Sequence, residues 1–214
     1  MEQDLSDKRK EYSKNYIDFN SVPSNPISLF SSWFNEVSQS KLIDEPYAMN
    51  ISTLEKNGFP KNRIVLLREF NEEGFVFYTN YNSQKGQAIA HNPKVCLSFF
   101  WDKLERQVII TGEAEKISAE KSDDYFNKRP FESRLGALVS NQSEAIDFDY
   151  DLDENVKILQ EKFTETEIKR PENWGGYLIR PYQIEFWQGR PSRLHDRIRY
   201  SKKGSNWNKE RLSP

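Results

Sequence analysis

Only one cysteine, Cys96, occurs in the 214 residues, so no disulfide can form within the chain. It sits in Val-Cys-Leu-Ser-Phe-Phe-Trp (residues 95–101), an apolar run that reads as a buried strand, where a lone cysteine behaves as a small hydrophobe. Such usage suits a reducing compartment. Histidine is nearly as scarce. His91 and His195 stand far apart in the chain, which leaves no zinc-ligand spacing and predicts no metal centre. No run approaches the roughly 18 apolar residues of a membrane span. The first 25 residues are polar and charged, without the apolar core of a signal peptide. Neither sign of charge dominates, with 31 basic against 33 acidic residues, so nothing global points to nucleic acid or a membrane surface. No G-x-G-x-x-G follows a strand and no phosphate-binding P-loop is present, which removes the main support for Rossmann and nucleotide-hydrolase readings. These absences describe a soluble, cytoplasmic protein.

Aromatic residues are plentiful: 14 Phe, 10 Tyr and 5 Trp. They raise the apolar area each residue can bury. Residues 26–38 read as a helix, with Pro26 at a favourable first position and Ile27, Phe30, Trp33, Phe34 and Val37 on one face. From residue 47 the period changes to that of strands. Residues 48–54, a turn at Lys56-Asn57-Gly58, and residues 63–70 form a hairpin, since Asn-Gly is a strong turn signal. A second turn at residues 71–74 leads into Phe-Val-Phe-Tyr-Thr-Asn (75–80). Residues 83–91 read as a short helix stopped near Pro93, 95–101 and 106–117 as strands, and 118–129 as a helix with acids early and bases late. Residues 144–154 hold six acids and no base and read as a solvated loop, with a helix over 154–165. Residues 175–180 and 183–188 read as two strands broken at Pro181-Tyr182, and the chain closes with Ile-Arg-Tyr-Ser and Trp-Asn-Lys-Glu-Arg-Leu.

Six to eight short antiparallel strands with helices inserted between them do not fit a doubly wound parallel sheet. A closed or nearly closed barrel is the economical arrangement, because it leaves few open edges. Residues 1–22 read as a mobile arm and residues 23–214 as one domain. No repeat or linker divides the chain.

Charge gathers in a few places. Gly189-Arg190-Pro191-Ser192-Arg193-Leu194-His195-Asp196-Arg197 lies in a C-terminal segment, 180–214, that carries nine Lys/Arg against three Asp/Glu. If 193–197 is extended, Arg193, His195 and Arg197 share one face. Such cations repel unless an anion or acidic side chains sit among them; a basic surface loop is the competing reading. Ser192, His195 and Asp196 also suggest a hydrolase triad, but no nucleophile-elbow motif accompanies them. Arg63 and Arg68 bracket four aliphatics. An arginine among such apolar neighbours is usually paired or meets a ligand phosphate; an edge strand with two solvated ends is the competing reading. Ser83-Gln84-Lys85 opens a helix whose free N–H groups suit a phosphate or merely form a cap. Tyr125 and Arg129 share a helix face at i, i+4, with Ser133 beyond Pro130. Together these give at least two anion-binding clusters on an aromatic-rich β scaffold, which suits a phosphorylated cofactor beside a phosphorylated substrate.

The motifs Arg-Ile-Val-Leu-Leu (63–67), Phe-Tyr-Thr-Asn, Leu-Glu-Arg-Gln-Val (104–108), Tyr-Phe-Asn-Lys-Arg-Pro, Val-Ser-Asn-Gln-Ser (139–143), Trp-Gly-Gly-Tyr and Glu-Phe-Trp-Gln-Gly-Arg-Pro-Ser-Arg-Leu-His-Asp-Arg, with the terminal Arg-Leu-Ser-Pro, occur in this order. They resemble the pyridoxamine 5′-phosphate oxidase family across nearly the whole chain. The resemblance implies an FMN-binding split β-barrel, a homodimer with FMN at the subunit interface, and oxidation of pyridoxamine or pyridoxine 5′-phosphate to pyridoxal 5′-phosphate with dioxygen as acceptor. FMN contacts implied by the motifs are Arg63, Ile64, Val65, Leu66, Tyr78, Thr79, Lys85, Gln107, Gln142, Ser143, Trp187 and Arg197. The substrate phosphate would meet Arg68, Tyr125, Arg129 and Ser133. Arg193 and His195 would hold the substrate over the flavin in a catalytic role, and Arg9 and Tyr12 would belong to an arm that closes the site. The alternatives are a split-barrel flavin protein with another substrate, or a non-catalytic protein that binds flavin or pyridoxal phosphate.

Two positions depart from the family pattern. Arg68 stands where the family usually has lysine, which trades a compact ammonium for a planar fork and alters the geometry offered to ligand phosphates. Gln84 stands where it usually has arginine, which removes a cation near the FMN phosphate. A hydrogen bond to a charged group contributes about 1.5–3 kcal/mol. Gln84→Arg should therefore tighten FMN binding by about tenfold or more. Titration of flavin fluorescence checks this, and equal affinities would refute it.

Overall fold

The computed structural model describes residues 3–214. Five α-helices and nine strands follow in the order α1 (Pro26–Ser40), β1 (Ala48–Leu54), β2 (Pro60–Leu66), β3 (Glu69–Asn71), β4 (Gly74–Asn80), α2 (Gln84–His91), β5 (Lys94–Trp101), β6 (Arg106–Lys116), α3 (Ala119–Asn127), α4 (Phe131–Val139), α5 (Leu152–Lys162), β7 (Trp174–Gln188), β8 (Asp196–Lys203) and β9 (Asn206–Leu212). Strand pairing runs β2-β1-β5-β6-β7-β4-β3, with β8 pairing β7 and β9 pairing β8. The chain divides into two compact units. One comprises the residues up to Met49, Leu97–Thr111 and Pro181–Pro214; the other comprises Asn50–Cys96 and Gly112–Arg180.

In the first unit, α1 starts where Asn25 accepts the Ile27 N–H at 2.9 Å and Pro26 supplies a preset φ. Phe30 and Val37 are fully buried. Phe30 meets Phe99 with ring centroids 5.3 Å apart, and Trp33 meets Phe186 edge-on at 5.3 Å. Arg106 is 4% exposed. Its guanidinium lies 4.4 Å from the Trp33 ring and donates to Glu36 at 2.7 Å and Gln188 at 2.9 Å, so this buried charge is fully partnered. β7, β8 and β9 form an antiparallel meander with Trp187 opposite Arg197 and Arg197 opposite Leu212.

In the second unit, β4 is buried along nearly its whole length, as befits a strand covered on both faces. It pairs antiparallel with β7, Tyr78 opposite Gly176 and Asn80 opposite Trp174. The helix α3 starts where Ser118 accepts the Lys121 N–H at 3.1 Å, and it buries Phe126 against Leu135, Ile168 and Trp174.

Four sequence expectations change. Residues 63–70 are not one strand: β2 ends at Leu66 and the short β3 begins at Glu69. Among the described residues the strands number nine rather than six to eight. Residues 174–188 form one strand rather than two. Pro181 is tolerated because β7 changes neighbour there. Its pairing with β4 stops at Ile179 and its pairing with β8 starts at Gln183, so the missing N–H faces a gap in the ladder. A nine-residue helix, α4, begins directly after Pro130. Finally, 193–197 is not extended. Residues 191–193 make a tight turn with Ser192 at φ 56° and Arg193 at φ 60°, and β8 begins only at Asp196.

Candidate active site

The second unit holds a cavity of about 470 Å³ with two cationic poles. One pole is Lys85, in the first turn of α2. The capping Ser83 hydroxyl accepts the Gly86 N–H at 3.3 Å, and Lys85 stands at the positive end of the helix. Gly86 is required because a Cβ there would stand 2.1 Å from the Tyr81 carbonyl oxygen. The Lys85 side chain is 8% exposed. Its Nζ donates to Gln142 Oε1 at 3.1 Å, Thr79 Oγ1 at 3.2 Å and Ser83 Oγ at 3.4 Å, all uncharged oxygens. Burial, with the nearby Arg63 charge adding to it, brings the Lys85 pKa down to about 8. A buried ammonium bonded only to neutral oxygens is a place prepared for an anion.

The other pole is Arg129, held by a seat of aromatic rings. Tyr78 and Tyr125 stack with centroids 3.8 Å apart, and Trp174 lies parallel to Tyr125 at 6.2 Å. The Arg129 guanidinium sits 4.7 Å from the Trp174 ring centre, a cation–π arrangement that orients its fork. Arg129 Nη1 is buried and has no hydrogen-bond partner. Burial lowers the Arg129 pKa, and the Arg68 charge acts in the same direction. A fixed, desolvated guanidinium with an unpaired donor beside a second arginine is complementary to a dianion such as a phosphate ester. Burial likewise pushes the Tyr78 phenol up to about 12, with Glu69 contributing, so Tyr78 stays neutral and serves as a stacking surface.

Between the poles the wall is the end of β2. Ile64, Val65 and Leu66 line the cavity, and Ile64 keeps 64% of its surface exposed. A flat aromatic ring system lying there would cover apolar side chain that water now touches. Tyr78, Thr79, Tyr125, Ser133 and Gln142 line the same cavity. Sequence reasoning missed Trp174 as the seat of Arg129. It also missed Ser140 and the α4 residues Gly136 and Ala137 as lining, because α4 itself was not read. Arg63 lies outside the lining: it pairs with Glu55 at 3.2 Å and donates to Thr53 at 2.6 Å. Its influence on Lys85 comes through its charge. Gln84 is also outside and accepts from the Lys61 amine. Ser143, at φ 77°, follows Gln142 on an exposed loop.

The remaining predicted residues fall in the first unit. A cavity of about 570 Å³ is lined by Arg9, Tyr12, Arg193 and His195 together with Lys8, Lys10 and Arg190. Within one chain, Arg193 and Arg129 line different cavities. Trp187 packs against His195 with centroids 4.6 Å apart and against Tyr12 at 5.6 Å. Burial lowers the His195 pKa, with Arg193 adding to the effect and Asp196 opposing it. His195 Nδ1 accepts the Arg190 N–H at 3.1 Å, so the neutral ring carries its proton on Nε2. Asp196 turns away from any triad. Its Oδ2 accepts the Ile17 N–H at 3.1 Å. Arg197 pairs with Glu185 at 2.8 Å, and Gln107 donates to Ser98 at 3.3 Å.

Comparison with solved structures supplies the class. PhzG from Burkholderia lata 383, in complex with tetrahydrophenazine-1-carboxylic acid, superposes with a TM-score of 0.87 at 23% identity over 96% of this chain and all of that one. The fold is thus that of the split-barrel proteins. Residues 38–165 match the family profile described as Pyridoxamine 5′-phosphate oxidase, and residues 174–214 match the Pyridoxine 5′-phosphate oxidase C-terminal dimerisation region. The pyridoxine/pyridoxamine 5′-phosphate oxidase of Flavobacterium johnsoniae is 56% identical over 98% of this chain and 99% of that protein. The protein of the same name from Haemophilus influenzae is 51% identical over 99% and 100%. The chain belongs to the pyridoxamine 5′-phosphate oxidase family.

Proposed function

We propose that this protein binds FMN and oxidises pyridoxamine 5′-phosphate and pyridoxine 5′-phosphate to pyridoxal 5′-phosphate, with dioxygen as acceptor. The observation that carries this reading is the pair of cationic poles in one cavity, Lys85 against neutral oxygens and Arg129 with an unpaired buried donor. A flavin phosphate and a vitamer phosphate are the two anions that such a cavity takes at once. Lys85, Gln142 and Thr79 would hold the cofactor phosphate, and Ile64 to Leu66 would back its ring system. Arg129, Arg68, Tyr125 and Ser133 would hold the substrate phosphate. FMN, when bound, would supply the electron chemistry of the oxidation at the substrate's 4′ carbon, with dioxygen as the final acceptor and hydrogen peroxide as the by-product.

The chain's own contribution is orientation. With the phosphate end fixed at Arg129, the reacting carbon is set by groups at the opposite end, a part suited to Arg193 and His195. A neutral His195 with its proton on Nε2 offers a donor to the pyridine's substituents rather than a base. Ser192 and Arg193 stay in the left-handed region despite having side chains. Such strain persists where the surroundings impose it, most often at ligand clamps. The match of residues 174–214 to a C-terminal dimerisation region supports a homodimer, and the reading includes one in which one subunit's Arg193, His195, Trp187, Gln107 and Arg197 serve the cofactor and substrate held by its partner.

Anaerobic mixing with each phosphorylated vitamer tests the reading. The flavin absorbance should bleach with pyridoxamine or pyridoxine 5′-phosphate and recover with peroxide release on admitting air. In Arg193→Ala the bleaching rate should fall by about a hundredfold or more, while FMN stays bound. A flavin that never bleaches would remove the oxidase reading, and an unchanged rate in Arg193→Ala would remove that residue from the site.

A further inference from the structure

Two buried carboxylates in the first unit are not used by the chemistry above, and both face the same stretch of chain. Glu105 is 2% exposed. Its Oε2 accepts the main-chain N–H groups of Ser13 at 2.9 Å and Lys14 at 3.0 Å. Asp196 is 8% exposed, and its Oδ2 accepts the main-chain N–H of Ile17. Residues 3–22 contain no helix or strand, so these backbone N–H groups have no ladder to join, and carboxylates take that place. The bonds are charge-assisted and the carboxylates are shielded from water, which makes them stronger than surface contacts.

Both anchors are themselves rigid. Glu105 sits at φ 57°, a left-handed conformation unusual for glutamate. Its carbonyl oxygen accepts the Gly189 N–H at 2.7 Å and the Gln188 side-chain amide at 3.2 Å. Gly189 in turn makes room for the arm, since a Cβ there would lie 2.8 Å from Tyr12 Cβ and Cγ. Tyr12 then stands edge-on to Trp187 and 5.9 Å from the His195 ring centre. Asp196 follows His195 directly in the chain, so the residue that faces the cavity and the residue that ties down the arm share one turn of backbone.

We propose that Glu105 and Asp196 are positioning residues that grip the arm by its main chain, so that Arg9 and Tyr12 roof the cavity over His195 and thereby set substrate affinity. The grip reads backbone N–H groups at residues 13, 14 and 17, while the Lys14 amine adds a bond to the Lys103 carbonyl and the Lys10 amine lies 3.9 Å from Glu105 Oε1. This inference rests on the oxidase reading for its kinetic consequence but not for its structural one. The full-length protein loaded with FMN serves for the test, in three variants.

Glu105→Ala removes both acceptors. Glu105→Gln keeps one carbonyl oxygen for the same N–H groups. Gly189→Ala keeps both carboxyl groups and inserts a methyl 2.8 Å from Tyr12 and 3.1 Å from Glu105 Cβ. In Glu105→Ala the KM for pyridoxamine 5′-phosphate should rise by roughly tenfold while kcat stays within about twofold. Tryptic cleavage after Lys14 should accelerate by a similar factor, and FMN affinity should not change. Glu105→Gln should restore most of both effects, and Gly189→Ala should reproduce them. Faster cleavage with unchanged KM would overturn the role in affinity, and unchanged cleavage would overturn the grip itself. A parallel loss of FMN affinity and KM in Glu105→Ala that glutamine does not rescue would mark a merely structural residue and overturn the proposal. If the parent protein oxidises neither vitamer, the oxidase reading fails, while cleavage still decides whether the carboxylates hold the arm.

Discussion

Replacing Arg129 with leucine should raise the KM for pyridoxamine 5′-phosphate by about two orders of magnitude. The reason lies in the seat rather than in the charge alone. The guanidinium lies over the Trp174 and Phe126 rings, and Trp174 is itself stacked with Tyr78 and Tyr125, so little side-chain freedom remains to be lost when a phosphate arrives. Truncating one partner of a desolvated charge pair costs about 2–5 kcal/mol, and each 1.4 kcal/mol is tenfold in affinity. The phosphate stays bound from ground state to transition state, so the loss should fall on KM and leave kcat much less affected. Unphosphorylated pyridoxamine, which lacks the anion, should be oxidised equally poorly by the parent and the variant. Thermal stability should hold or rise, because leucine removes a buried donor that has no partner. Steady-state kinetics with both amines, together with a melting curve, check these statements. Equal KM values for the phosphorylated substrate would take Arg129 out of the phosphate site.

Lys85→Met should weaken FMN binding by about 30-fold to a thousandfold, and the pH dependence is diagnostic. In the flavin-free protein burial holds the Lys85 pKa near 8, against an ordinary 10.5. An anion binds the protonated amine, so FMN affinity should fall as pH rises through 8, approaching tenfold per pH unit above it. Folding stability has the opposite sign. Between pH 8 and 10.5 the unfolded chain holds more protons on this amine than the folded one, so the flavin-free protein gains stability with rising pH in that window. Few single groups give opposed slopes in binding and stability. Lys85→Met should flatten both. Fluorescence titrations and urea unfolding at pH 7, 8, 9 and 10 measure the two slopes. A parent protein whose FMN affinity does not change between pH 8 and 10 would show that the Lys85 amine does not meet the phosphate.

Much of the scaffold can be read in the residues. The face of α1 through Phe30, Trp33 and Val37 follows helical spacing, and Asn57-Gly58 marks the β1–β2 turn where Gly58 takes φ 85°. Patterns of this kind are local, so a linear reading finds them. The features that were not legible depend on partners distant in sequence. Pro181 normally ends a strand, and only the exchange of β4 for β8 along β7 makes it harmless. The helix α4 is nine residues long and interrupted by Gly136, too short for periodicity to announce it. The tight turn at Ser192 and Arg193 has no composition signal, because neither residue favours positive φ. Trp174 stands in the Trp-Gly-Gly-Tyr motif, and its part as a seat for Arg129 needs the fold. Glu105 and Asp196 leave no pattern because they recognise main chain rather than side chains. The cations themselves were visible as residue types in sequence, but their division between two cavities was not.

The most direct measurement pairs two ligands with two variants. FMN affinity of the flavin-free protein, and pyridoxal 5′-phosphate affinity at saturating FMN, are measured for the parent, Lys85→Met and Arg129→Leu. Selective loss is expected: Lys85→Met loses FMN and, once saturated, keeps the product's affinity, whereas Arg129→Leu keeps FMN and loses the product. Equal weakening of both ligands by either variant, or of neither by both, would contradict a cavity with two separate phosphate poles.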